Sequence, residues 1–519
     1  MSHRVPHGNA RNATRVARCT KLPHRPVGQH HTNVGQWAYM DREARHENNH
    51  LSVQLINEEL STLSESTYDI VILGAGSGGY ATALRAAQLG MTVALIDGDK
   101  VGGTCLHRGC IPTKAYLHAA ETAEAVRESA KFGVNSTFNG IDMAQVGKYR
   151  DSVISGLYKG LQGLLKSRKV ELISGWGRLA DANTVEVGGQ RITGRNIVLA
   201  TGSYSRSIPG LEIGGRIISS DQALQMDWVP SSVVILGGGV IGLEFASVWR
   251  SFGAEVTIIE ALPHLANNED EAISKQLERA YRKRGIKSYT KTRFASATQS
   301  EQGVHVTTED GKAFDADVLL VAVGRGPVTE GLGYEQVGIT LDRGFVITND
   351  RLHTGVGNIY AVGDIVPGLQ LAHRGFMQGI FVAEEIAGLN PTMQADIDIP
   401  RVTFCEPEIA SVGMTEKQAR EKYGDQVRTV EYNLAGNGKS SILATSGLIK
   451  LVSVEGGPIV GFHGIGARIG EQIGEGELMV NWEAYPSDVA SLIHAHPSQN
   501  ESLGEAAMAL AGKPLHVHN

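Results

Sequence analysis

Short apolar runs alternate with glycine-punctuated turns along this chain, and one stretch shows the pattern in full. From Tyr68 to Asp97 the sequence reads YDIVILGAGSGGYATALRAAQLGMTVALID. The apolar run at its start predicts a buried strand, the Ala- and Leu-rich middle a helix, and the apolar run at its end a second strand. The turn between the first two carries Gly74, Gly76 and Gly79 in a G-x-G-x-x-G pattern. The same plan returns from Ser231 to Glu260, SSVVILGGGVIGLEFASVWRSFGAEVTIIE, with Gly237, Gly239 and Gly242.

In each copy the first glycine permits the tight turn. The second lets backbone approach a pyrophosphate, and the third lets helix and strand pack closely. Phosphates are expected on the helix N-terminus, where N–H groups lack partners. Gly74 to Asp97 and Gly237 to Glu260 both span 23 positions, and each span ends on an acid placed to accept from a ribose hydroxyl. One glycine motif is weak evidence, whereas two in the same frame predict two dinucleotide sites. Glu260 repels a 2′-phosphate and is followed by Ala261, Leu262 and Pro263 rather than by an Arg, which favours NAD over NADP.

Composition narrows the class. The 519 residues suggest three or four domains, taking about 150 residues for each. With 42% hydrophobic and 20% charged residues the chain has an ordinary globular balance. Its 63 glycines cluster in short motifs, and a net charge of −7 gives no reason to expect nucleic acid. No apolar run reaches the 18 residues of a membrane span. The first 40 residues carry six basic side chains and no acid; removing them takes the charge from −7 to −13. They have no apolar core of a secretory signal, and either an Arg-rich targeting peptide or a true start at Met40 accounts for them. Residues 1–66 are expected to be disordered and outside the fold.

Four cysteines do not make a disulfide scaffold. Two of them, Cys105 and Cys110, lie in GGTCLHRGCIPTK, Gly102 to Lys114. One C-x4-C pair offers no tetrahedral zinc set, and Cys19 and Cys405 read as bystander thiols. No metal site is expected. A disulfide needs Cα atoms about 4.4–6.8 Å apart, while five residues of regular helix separate them by roughly 9 Å. The segment is therefore expected to bend, with Gly109 supplying freedom and Pro112 suited to the first turn of a helix beginning near Cys110. A helix N-terminus lowers a thiol pKa. Shifting a thiol by about two units takes roughly 2.7 kcal/mol, within reach of a helix end, a nearby cation and an oxidised cofactor together. A loop this short is a poor staple, so a redox couple is the favoured reading.

With these residues in place, the chain resembles the flavin-dependent disulfide reductases, the class I pyridine nucleotide–disulfide oxidoreductases. It is most similar to the branch that oxidises dihydrolipoyl groups, and the resemblance covers about residues 67 to 515. It implies an α/β fold with two Rossmann-like dinucleotide-binding domains and an α+β C-terminal dimerisation domain. The implied boundaries are 67–215 for FAD, with a helical excursion around 112–168, 216–342 for NAD, 343–398 for the return to FAD, and 399–519 for the interface. FAD is expected at Gly74, Gly76, Gly79, Asp97, Gly103, Thr104, Gly177, Thr201, Gly202, Asp364 and Ala372. Lys114 and Glu244 match a Lys–Glu pair beside the flavin. NAD is expected at Gly237, Gly239, Gly242, Glu260, Gly324 and Arg325. SLIHAHPSQNESLGEA resembles an H-P-x-x-x-E segment in which His496 and Glu501 serve the dithiol of a partner subunit, while His494 is expected to be a surface residue.

The implied reaction is oxidation of a dihydrolipoyl group by NAD, through Cys105, Cys110 and FAD. The implied partners are a second copy of the chain and the lipoylated acyltransferase or lipoyl-carrier protein of a 2-oxo acid dehydrogenase or glycine-cleavage complex, in the cytoplasm. The rival is a related reductase of a low-molecular-weight disulfide or a metal ion. Against it stand Glu260, where glutathione-type enzymes carry basic residues, and a tail, GKPLHVHN, without the cysteine pair of mercuric reductases. Asp97 departs from the Glu that many relatives carry.

Overall fold

The computed structural model describes residues 67–517; the expectations for 1–66, Cys19 included, lie outside the described residues. Six strands open the fold: β1 (Tyr68–Leu73), β2 (Val93–Asp97), β3 (Glu171–Ser174), β4 (Gly177–Asp181), β5 (Thr184–Val187) and β6 (Gln190–Leu199). Their order in the sheet is β3-β2-β1-β6-β5-β4. β1 pairs in parallel with β2 and with the C-terminal half of β6, whose N-terminal half turns antiparallel against β5. The second sheet contains β7 (Ile217–Ile218), β8 (Ser232–Leu236), β9 (Glu255–Ile259), β10 (Lys287–Tyr289) and β11 (Val318–Val321), in the parallel order β10-β9-β8-β11-β7. Both sheets share one parallel core, β3-β2-β1-β6 in the first and β10-β9-β8-β11 in the second, in which the strand before the glycine turn lies between the next strand and a later return strand, the open-sheet arrangement that leaves a ligand crevice at its switch point. The chain then returns to the first sheet through β12 (Ile359–Ala361), parallel to β6.

The apolar runs explain why both sheets are sandwiched. Successive side chains of a strand point to opposite faces. In β1, Ile70 and Ile72 pack with Ala83, Ala86 and Phe381 on the face covered by helices α1 (Ser77–Gln88) and α7 (Ala372–Ile386), whereas Val71 and Leu73 pack with Val185 and Val187. In β8, Val233 and Ile235 pack against Phe245, Trp249 and Leu277 of α5 (Val240–Phe252) and α6 (Glu271–Lys283), while Val234 and Leu236 meet Val304 and Val306.

Between β2 and β3 lie α2 (Gly103–Arg108), α3 (Cys110–Glu128) and α4 (Met143–Ser167). The C-terminal part is a five-stranded antiparallel sheet of β13 (Arg401–Thr403), β14 (Glu408–Gly413), β15 (Val427–Asn433), β16 (Leu448–Val454) and β17 (Ile459–Gly466), ordered β13-β14-β17-β16-β15. One face buries Ala410, Phe462 and Ile449 against α8 (Ile469–Asn481) and α9 (Glu501–Leu510). The other face joins the core of the second sheet through Ile409 and Ile465. The architecture is mixed α/β, as the sequence predicts.

Candidate active site

The two glycine turns are built alike. Gly74 and Gly237 hold φ of +102° and +107°, and a Cβ on either would lie 2.3 Å from a carbonyl oxygen of the return strand, Ala200 or Ala322. Such backbone excludes other residues. A Cβ on Gly79 or Gly242 would stand 1.8 or 2.1 Å from the oxygen of the first glycine, so helix and turn touch. Around Gly76 and Gly239 nothing lies within 4 Å of the Cβ position: both face an open cleft. These two residues also cap α1 and α5 without any side-chain hydrogen bond, so the first-turn N–H groups have no side-chain acceptor. Two cradles of this shape fit a dinucleotide pyrophosphate.

The two acids do more than the sequence suggests. Asp97 Oδ2 accepts from Ala75 N at 2.6 Å and Glu260 Oε2 from Gly238 N at 2.6 Å. Their second oxygens accept from Asp99 N at 2.8 Å and Leu262 N at 2.7 Å. Each carboxylate therefore braces the glycine turn that it faces. Gly177 is set by the core, since a Cβ there would meet Leu73, Val185 and Ile96 at 2.8–3.2 Å. A Cβ on Gly103 would lie 2.7 Å from Gly76 Cα, which seats the cysteine segment on the first turn.

That segment bends as expected. Gly109, at φ −143° and ψ −109°, breaks the helix between α2 and α3, and α3 begins at Cys110 with Pro112 in its first turn. Both thiols are unlinked and half-buried, with the Cys105 thiol placed to donate to the Cys110 sulfur. The pair is asymmetric. The bond from Cys105 lowers the Cys110 thiol to about 7; burial and Glu244 oppose this, and the Lys114 ammonium assists it. Cys105 is pushed well above the thiol range by its bond to Cys110 and by burial. Tyr80, which the sequence did not single out, borders the pair, and burial followed by the two sulfurs raises it to about 12.

Lys114 Nζ lies 2.7 and 2.8 Å from the oxygens of Glu244, a buried carboxylate that also accepts from Phe404 N at 3.0 Å. Lys114 stands over the Phe404 ring at 4.8 Å. This pair joins the cysteine helix to the helix of the second glycine turn. Across the cleft, Ser203 donates to Asp364 at 2.5 Å and accepts from Arg325 Nε at 2.8 Å. Arg325 thus ties the second half to the first through a serine that sequence reasoning missed. Thr201 donates to Val328 O at 2.5 Å, Gly202 and Gly324 are left-handed at φ +75° and +108°, and Ala372 begins α7.

Thr104, Cys105, Cys110, Lys114, Glu244 and Glu260 line one cleft, as do Gly76, Gly202, Gly237, Gly239, Gly324, Arg325, Asp364 and Ala372. His496 and Glu501 do not. His496 is 78% exposed, and its Nδ1 lies 2.8 Å from Glu501 Oε1. A carboxylate at Nδ1 requires the proton there, which leaves Nε2 as the basic nitrogen. Burial raises Glu501, but the Ser498 N–H and His496 outweigh it and hold the acid below its ordinary value. His494 is not the surface residue expected. Its side chain is only 13% exposed and its Nε2 lies 2.7 Å from Glu475 Oε1, an ion pair with a residue 19 positions away that no local pattern shows.

Residues 68–379 match the model of the pyridine nucleotide-disulphide oxidoreductases, and residues 399–507 match the dimerisation domain of the same family. The chain belongs to this family. A dihydrolipoyl dehydrogenase of Bacillus subtilis is 37% identical over 470 residues, 86% of this chain and 99% of that protein. A mitochondrial dihydrolipoyl dehydrogenase of Arabidopsis thaliana is also 37% identical, over 86% of this chain and 91% of its own. Among solved structures, LpdA of Mycobacterium tuberculosis superposes with a TM-score of 0.80 at 27% identity, covering 85% of this chain and 99% of LpdA. The HOCl-induced flavoprotein disulfide reductase RclA of Escherichia coli gives 0.76 at 28% identity, covering 85% and 99%. Family members and the dihydrolipoyl dehydrogenases among them use FAD and NAD(H), and this chain is an oxidoreductase of that kind. No helix among the described residues is long and apolar enough to cross a membrane.

Proposed function

We propose that the chain oxidises protein-bound dihydrolipoamide to lipoamide with NAD+, the reaction that names its dihydrolipoyl dehydrogenase relatives. The observation that carries this reading is the differentiated sulfur pair at the start of α3, in one cleft with two dinucleotide cradles. FAD fits the turn at Gly74, Gly76 and Gly79, with Asp97, Gly103, Thr104 and Gly177 around it and Thr201, Gly202, Asp364 and Ala372 from the returning segments. NAD fits the turn at Gly237, Gly239 and Gly242, with Glu260, Gly324 and Arg325. The domains follow as 67–215, 216–342, 343–398 and 399–519.

In the oxidised protein, Cys105 and Cys110 form a disulfide. His496 Nε2 of one subunit removes a proton from a substrate thiol, and Glu501, at Nδ1, holds the ring in the tautomer that leaves Nε2 free to accept it. The substrate thiolate attacks Cys105 Sγ, breaking the S–S bond and leaving Cys110 as the thiolate, which Lys114 and the helix N-terminus favour. The second substrate sulfur then displaces Cys105, passing its proton to the departing Cys105 sulfur, which closes lipoamide and leaves the cysteine pair reduced by two electrons. When bound, FAD carries those two electrons on to NAD+ as a hydride equivalent. Because His496 stands outside the cleft of its own chain, it serves a second copy, and the enzyme works as a homodimer. A lipoylated acyltransferase or carrier protein presents the substrate, and the enzyme acts in the cytoplasm.

Steady-state turnover of dihydrolipoamide with NAD+ and with NADP+ tests the reading. Activity with NAD+ far above NADP+ is expected. Inactivity with dihydrolipoamide, alongside reduction of a low-molecular-weight disulfide or a metal ion, sinks it in favour of the rival reductase.

A further inference from the structure

A row of polar side chains crosses all five strands of the C-terminal sheet. Register places Arg401, Ser411, His463, Lys450 and Glu431 directly opposite one another in turn. Ser411, His463 and Lys450 are buried. Their strand neighbours Phe462 and Gly464 face α8, so the row lies on the other face, toward the second sheet. Buried charge at such a seam is costly, and apolar residues of similar volume would hold it as well or better. What a polar row adds is register, because each charge accepts only a matched partner.

Those partners are the residues that start α6. Asp270, its N-cap, receives Lys450 Nζ at 2.8 Å and Glu416 N at 2.9 Å. Glu269 takes the Ser411 hydroxyl and lies 3.4 Å from Arg401. Lys450 also lies 2.7 Å from Glu416. Three residues before Glu269, Ala266 N donates to Gly238 O at 2.9 Å, and Leu265 would stand 2.6 Å from a Cβ on Gly238. Gly238 N in turn donates to Glu260. An unbroken path of hydrogen bonds and packing therefore runs from the polar row to the second glycine turn.

We infer that Lys450 is a positioning residue for the pyridine-nucleotide site: through Asp270 it sets the segment 261–270, and with it the turn at Gly238 and the Glu260 carboxylate. This rests on the reading that NAD binds the second glycine turn. No hydrogen bond of this path is made by either sulfur or by the first glycine turn, so the two substrates are expected to respond differently.

The test uses the purified flavin-loaded dimer. Lys450→Met is expected to raise the KM for NAD+ five- to tenfold, leaving flavin content, the KM for dihydrolipoamide and the rate at which dihydrolipoamide reduces the flavin unchanged. Lys450→Arg keeps a cation for Asp270 and restores the NAD+ KM to within about twofold, and the split between the NAD+ and dihydrolipoamide KM values is what loss of a merely structural contact would not produce. Asp270→Asn keeps a cap acceptor and removes the charge, so it shifts the NAD+ KM in the same direction even if Lys450→Met fails to fold. An unchanged NAD+ KM, or a parallel change in both KM values and flavin content, overturns the inference. Gly239→Ala serves as control: if it too leaves the NAD+ KM untouched, the NAD site has been misplaced and the inference falls with it.

Discussion

Two thiols on either side of one glycine break become chemically different through what surrounds them. Cys110 sits at a helix start beside Lys114 and accepts from Cys105, whereas Cys105 holds its proton. The long-wavelength thiolate–flavin absorbance of the two-electron-reduced enzyme is therefore expected to come from Cys110. Cys110→Ser abolishes it, and an unchanged spectrum would show that the sulfur roles are reversed. The Cys110 pKa is depressed to about 7, so the thiolate exists above that pH and the band fades as pH falls through it. Glu244 raises the same thiol. Glu244→Gln should therefore keep the band to lower pH than wild type, as a spectral titration of the reduced enzyme would register. Cys105, Cys110 and their bend were legible in sequence because chain connectivity alone limits where two cysteines five apart can go. Tyr80 and Ser203 were not, since nothing local marks a tyrosine or a serine for the neighbours that the fold brings to it.

At the scale of elements, the glycine turns divide their labour in a way that separates folding from binding. Gly79→Ala drives a Cβ to 1.8 Å from a backbone oxygen with no flexible side chain to yield. A loss of about 3 kcal/mol or more is expected, seen as a lowered unfolding temperature and poor FAD uptake. Gly239→Ala meets nothing within 4 Å and has ordinary φ. It should unfold within about 2 °C of wild type, a shift of less than about 1 kcal/mol, and still lose NAD+ affinity in a titration. Strand, turn and helix were legible here because both periodicities stand in the sequence. The bracing of Gly238 by Glu260 was not, because an acid at the right offset suggests a ribose contact before it suggests a hydrogen bond to its own turn.

At the scale of the molecule, the proposed catalytic residues do not all line one cleft. The cysteines lie in the cleft, while His496 and Glu501 stand outside it with His496 exposed. Mixed dimers of Cys110→Ser and His496→Gln subunits should regain activity, since one of the two sites then has both intact partners. About half the wild-type turnover per dimer is expected from purified heterodimers, with both homodimers inactive. Heterodimers as inactive as the homodimers would mean that His496 serves its own chain.

The sequence by itself determined the local order: two apolar strand–glycine–helix units in one frame, a cysteine pair that must bend, and an acid at each strand end. These depend on periodicity, on the steric permissiveness of glycine and on short chain closure, all of which act within a few dozen residues. Tertiary structure alone decided which distant groups neutralise one another. Lys114 meets Glu244 across 130 positions, Lys450 meets Asp270 across 180, and His494 is drawn from the surface by Glu475. Charges once buried must find partners wherever the packing places them, and that placement is a property of the whole fold.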